Sequence, residues 1–176
     1  MKELLQQYAA YNLWADQQLT ERVLKLTDEQ QTKQFPGSFP SLHLTILHLW
    51  DTGSAWWQRL KLHEVVIPPS VHFTGNTRDA VNGLLHQDKL WESWISNASE
   101  MALQHVFAYQ NSRKEHFKQP IFQMLLHVHN HASYHRGQIV TLLRNLDADK
   151  IPNTDFIHWS RTPRPPKGGV RIPPTP

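Results

Sequence analysis

Four histidines fall within nine positions of HVHNHASYHRGQ, residues 127–138. On a helix, residues four apart share a face and stand about 6 Å apart along the axis. His127, His131 and His135 form such a series, so neighbouring imidazoles can converge on one metal ion. The first and last are about 12 Å apart by the same rise, which limits one ion to an adjacent pair. His131 belongs to both pairs. His129 points to nearly the opposite side and leaves the set. Met124 and Leu142 share the histidine face, with Leu125, Val128, Ala132, Ile139 and Leu143 beside it, so the imidazoles look toward a core. Spacing alone leaves two readings open: metal ligands, or hydrogen-bonded core histidines.

Two ligands bind weakly, and a catalytic metal site typically combines three protein ligands with an open position. A third ligand must come from another helix. The segment SLHLTILHLWDTGSAWWQRLKL, residues 41–62, offers His43 and His48. His48 is central in its segment and better placed to face the middle of the histidine helix, although a lone histidine there also reads as a satisfied core residue. The chain has no cysteine, which excludes disulfides, thiolate ligands and cysteine nucleophiles. Any metal must be held by nitrogen or oxygen.

Four segments have the length and period of helices that could position these groups. Residues 2–26 carry Leu5, Tyr8, Leu13, Leu19 and Val23 with no glycine or proline. After the breaker FPGSFPS, a second helix carries Leu42, Ile46, Leu49, Trp50, Trp57 and Leu60. Asn76 and Asp79 stand as N-cap and N3 acid at the head of a third helix running to about Met101. Residues 104–118 alternate polar and apolar around a central Asn-Ser, as a hairpin or extended crossover does. Pro120 opens a fourth helix through about Leu146. The pattern predicts an all-α protein, a four-helix bundle with one long crossover between helices three and four.

A chain of 176 residues suits one domain. Its pI of 9.3 suggests nucleic acid until the charge is located. Residues 161–176 hold four basic residues, no acid and six of the twelve prolines, leaving 14 basic against 15 acidic residues in the body. Phosphate binding needs a basic surface, so nucleic acid is disfavoured as a partner. The domain expectation is a bundle over residues 1–161 and a Pro-rich basic arm over 162–176. The N-terminus lacks an apolar signal core, and no apolar run approaches transmembrane length, so a cytoplasmic protein that does not enter the membrane is expected.

NHASYHRGQIVTLLRNL closely resembles the fourth-helix signature of the DinB family, the DinB/YfiT-like metalloenzymes. YNLWADQQL (11–19) is similar to that family's first-helix motif, SLHLTILHLWDTGSAWWQRL (41–60) to its second helix, and TDFIHWSR (154–161) to its closing segment. The chain departs from the family in its basic arm, and in NSRKE at the crossover, where the family often has a glycine turn.

The resemblance implies a metal held by His48, His131 and His135, with His127 a neighbour one turn away. It implies a metal-dependent enzyme acting on a small molecule, with a low-molecular-weight thiol as cosubstrate of an S-transferase. A metal-dependent hydrolase, or a metal- or ligand-binding bundle without catalysis, is the alternative. Nitrogen ligands admit zinc, nickel, iron or copper as the divalent ion. Arg136, off the ligand face, is expected to bind backbone or carboxylate groups. Tyr11, Trp14, Trp50, Trp56 and Trp57 read either as a substrate pocket or as core. The family tendency to pair, with seven tryptophans in so small a chain, predicts a homodimer.

Overall fold

The computed structural model describes residues 1–111 and 113–161, so the arm at 162–176 lies outside the described residues. The chain runs through helices α1 (Lys2–Val23), α2 (Asp28–Thr32) and α3 (Leu42–Leu60), a 3-10 turn at Pro69–Val71, then α4 (Thr77–Asn97) and α5 (Glu100–Gln104). Strands β1 (Val106–Gln110) and β2 (His116–Pro120), helix α6 (Ile121–Asn145) and helix α7 (Phe156–Arg161) complete it. The four long helices α1, α3, α4 and α6 make the four-helix bundle that the periodicity predicts.

Local chemistry sets the boundaries. The Ser41 hydroxyl accepts the Leu44 N–H at the head of α3. Asn76 and Asp79 form a reciprocal capping box at the head of α4, bonding at 3.0 and 3.1 Å. That helix ends at Asn97, short of Met101, because Ala98 turns extended and Ser99 caps the separate helix α5. The crossover of α5 and the antiparallel β1–β2 hairpin is tied to the head of α6 by Ile121 N–H donating to His105 C=O at 3.0 Å. Pro120 is the N-cap residue of α6, one position before the first turn.

Helices α1 and α3 each pack against both α4 and α6, so α1 and α3 stand at opposite corners of a square. A small apolar cluster holds Tyr11, Ala15 and Trp159, and the rest of the apolar core is in two parts. Leu19, Ile46, Leu84, Ile139 and Leu143 belong to one, and Leu5, Trp91, Ile95, Leu103 and Leu125 to the other. Gly83 of α4 leaves room for Trp50 of α3, since a Cβ there would meet the Trp50 ring at 2.5 Å. All seven tryptophans are buried or half-buried, Trp57 edge-on to Trp91 and Trp159 against Tyr11. The tryptophan excess is therefore taken up inside the fold. No helix among the described residues is long and apolar enough to cross a membrane.

Between the two core parts, at mid-height of the bundle, lies a polar layer. The fully buried Arg136 of α6 donates to Asn12 Oδ1 at 2.7 Å and to both Asp16 oxygens at 3.3 Å on α1. It also reaches the Ser133 hydroxyl at 2.7 Å. Asn12 Nδ2 donates to Asp16 and to Asp88 of α4, both at 3.1 Å. Removing one partner of such a pair leaves a buried charge uncompensated, at a cost of about 3–5 kcal/mol. Arg136→Met is expected to lose about that much in urea unfolding at neutral pH, and Asp16→Asn in the same chain should restore part of it. Additive losses in the double variant would show that the two groups do not act together.

Candidate metal centre

The middle of α3 and the second half of α6 bring three imidazoles to one point. His48 Nε2 lies 3.4 Å from His131 Nε2, and His131 Nε2 lies 3.1 Å from His135 Nε2. One ring nitrogen from each lies within 4.8 Å of the other two. Of the alternatives that spacing leaves open, the structure brings together the pair His131 and His135, joined by His48. His127 stands apart, largely exposed, with its ring edge-on to Trp56 at 5.3 Å and 5.8 Å from His131. His43 turns away to the Thr77 hydroxyl at 3.1 Å. His129 is buried toward α1, edge-on to Tyr8 at 5.3 Å.

The rings are held in a defined state. His135 donates from Nδ1 to Gln138 Oε1 at 2.7 Å, so in the neutral ring Nε2 carries the lone pair. Burial, reinforced by the charge that His135 would carry, lowers the pKa values of His48 and His131 from 6.5 to about 4. Burial lowers His135 as well, partly offset by its bond to Gln138. All three are neutral at physiological pH, with their Nε2 atoms crowded together. The Phe39 ring covers them from the loop before α3, stacked on His48 at 3.8 Å and edge-on to His135 at 5.3 Å. Beside this cover, Phe39, Tyr134, Gln138 and Thr141 line a cleft of about 340 Å³.

Behind His131 the polar layer closes the site. A cavity of about 10 Å³, roughly one water in size, touches His131, Thr52, Asp16 and Asp88. Burial pushes both carboxyls up, and Asp88 furthest because it also faces Asp16. Asp88 is thus the carboxyl that takes a proton more readily, and Asp16 the partner of Arg136. Sequence reasoning does not find Phe39, which sits in a segment read only as a helix breaker, nor the acid pair. A signal for Asp16 does exist, since Asn12, Asp16 and Thr20 recur at helical spacing on the buried side of α1. Of the aromatic residues considered for a pocket, Tyr11 bonds the Thr154 carbonyl and Trp57 packs in the core, while Trp56 faces His127.

The chain is similar to known proteins in sequence and in fold. The sequence model of the DinB family matches residues 1–165. Protein DinB of Bacillus subtilis is 26% identical over an alignment covering 83% of this chain and 87% of the relative. The fold is similar to that of YfiT from Bacillus subtilis, with a TM-score of 0.67 and 18% identity over 84% of this chain and 90% of that one. YfiT is described as a probable metal-dependent hydrolase with an unusual four-helix bundle topology. A DinB-like protein from Bacillus cereus has a TM-score of 0.61 at 15% identity, covering 79% of this chain and 89% of that one.

The acid pair gives a pH dependence whose sign is fixed. Asp88 holds its proton to higher pH in the folded chain than in the unfolded chain, where it ionises near pH 4. Its contribution is therefore fully present below about pH 4 and is lost as the pH rises toward the folded value. Asp88→Asn mimics the protonated acid and is expected to stabilise the metal-free protein at pH 7. The gain should shrink as the pH approaches 4, as read by urea unfolding across that range; a variant less stable than the parent at pH 7 would reverse the protonation assignment.

Proposed function

This chain belongs to the DinB family, and on that footing we propose that His48, His131 and His135 hold one divalent transition-metal ion and make the chain a metal-dependent enzyme acting on a small molecule. The observation that carries this reading is the convergence of the three Nε2 atoms. A four-coordinate ion with bonds of about 2.0–2.1 Å spaces its ligand atoms by about 3.3 Å; two of the three separations are 3.1 and 3.4 Å, and all three lie within 4.8 Å. Three protein donors leave a position open. When bound, such an ion supplies Lewis acidity that lets water or a thiol ionise near neutral pH.

The surrounding residues have matching tasks. Gln138 fixes the tautomer of His135, Phe39 limits water at the rings, and the cleft beside them admits a small substrate. The description of YfiT supports hydrolysis, with water as the nucleophile. A specific feature favours thiol S-transfer as the second reading. Among the described residues no carboxylate joins the three-histidine group, and Asp51, the acid whose charge acts on His48, bonds the Ser70 N–H. No carboxylate of the histidine group would take the proton of a nucleophile there, and a thiol with a pKa of about 8.5 gives its proton up more readily than water.

Protein prepared without a histidine tag should contain one metal ion per chain by elemental analysis, and His131→Ala should lose most of it with its helical signal unchanged. Full occupancy in that variant would remove the assignment. In the cobalt form, a sulfur charge-transfer band on adding a small thiol, with turnover of an electrophile, would select S-transfer. No band with any thiol would select hydrolysis, and a band without turnover would leave a binding site only. Since the chain has no cysteine, any band comes from the added thiol.

Pairing of two chains through helix faces belongs to the same proposal, supported by the exposed Leu126 and Tyr134 on α6. Light scattering at micromolar concentration should give twice the 20.6 kDa chain mass; the mass of one chain would end the pairing.

A further inference from the structure

A second concave site lies at the C-terminal end of α3, eleven residues beyond His48 and so about 16 Å away along the helix axis. It is a cavity of about 710 Å³ between the last turns of α3, the segment that follows, and the hairpin. Small organic ligands are commonly held in cavities of about 300–1,000 Å³. Most of the wall is apolar, from Ala55, Leu62, Val65, Val66 and Pro68 to Ala108. The segment is pinned in place. Leu62 turns the chain out of α3 with a left-handed φ of 56°, and the Gln58 side chain bonds both the N–H and the C=O of Ile67 at 2.9 Å.

Arg59 supplies the cavity's fixed cation. Its guanidinium lies over the Trp56 ring, 4.7 Å from the centroid, and its Nε donates to the Gln110 carbonyl at 3.1 Å. These two contacts orient the fork and leave its terminal nitrogens with no hydrogen-bond partner among the described residues. It forms no ion pair there either: Glu64, the acid on the wall, is exposed and unpaired with it. Burial pulls Arg59 below the ordinary arginine value, as expected of a guanidinium held partly out of water without a carboxylate. A planar fork with free terminal donors matches a carboxylate in two parallel bonds. Apolar walls add what a bare inorganic anion cannot use.

The geometry points to a binding site for an amphipathic organic acid, its carboxylate on Arg59 and its hydrocarbon along Leu62, Val65 and Val66. This site does not depend on the metal assignment.

Hexanoate is a suitable probe, with hexanol and inorganic phosphate as controls, followed by tryptophan fluorescence and calorimetry on the full chain. Hexanoate should bind saturably, and Arg59→Gln should weaken it at least tenfold. Ala55→Leu, which keeps the arginine but fills the wall, should weaken it too, and guards against a fold defect in the first variant. His131→Ala should bind hexanoate like the parent, which separates this site from the metal centre. Equal hexanoate binding by the parent and both wall variants would overturn the proposal. So would hexanol or phosphate binding as tightly as hexanoate.

Discussion

The contact between Arg136 and Asp16 sets the rotation of α6, and the position of the histidine cluster follows from that rotation. Successive residues on a helix point about 100° apart. Seen from α6, helices α1 and α3 are its two neighbouring corners of the square. When Arg136 is directed at Asn12 and Asp16 of α1, the preceding residue His135 is directed at α3, where His48 stands. His131, four residues earlier, falls on nearly the same side. Two adjacent residues thus serve two different partners, and the ion pair on one side aims the imidazoles on the other.

Such an arrangement carries a thermodynamic cost. A buried ion pair contributes little net stability compared with apolar packing of the same volume, and here it interrupts the core between two clusters. What it excludes is the alternative packing: another rotation of α6 leaves a carboxylate or a guanidinium buried and unpaired, at several kcal/mol. The same dryness acts on the histidines. Removed from water and near one another, they favour the neutral form, which is also the form that binds a cation. Packing, rotation and protonation state therefore have one cause, the low-dielectric layer at mid-bundle.

Much of this was legible in the sequence because it is periodic. The four long helices appear as 3.6-residue stripes, and His131 and His135 as an i, i+4 pair on a face bordered by apolar residues. The Asn76 cap and the hairpin were legible from local chemistry that does not depend on the rest of the chain. His48 was only one of two candidates by position, and the resemblance implied the choice, because which face of α3 meets α6 is a tertiary fact. The short helices α2, α5 and α7 escaped the periodic reading because five or six residues hold too few turns to show a stripe. Phe39 and Asp88 escaped it for another reason: each acts through a contact across the bundle or from a loop, and nothing local marks it.

The positive groups on α3 and α6 also differ in what cancels them. Arg136 is neutralised in place by Asp16 and sends little field outward. The three imidazoles are neutral at physiological pH, so an ion held there would keep its full charge toward a substrate, undiluted by anionic ligands. Arg59 keeps its own charge, partly desolvated and without an ion-pair partner among the described residues, at the far end of α3. Trp56 and His127 lie between these two places, packed ring to ring. With about 16 Å of helix separating them and an aromatic contact in between, a compact molecule seated on one cannot touch the other. Each site must therefore select its ligand from its own wall: neutral nitrogen donors beneath a phenyl ring at mid-bundle, and a guanidinium fork among aliphatic side chains at the end.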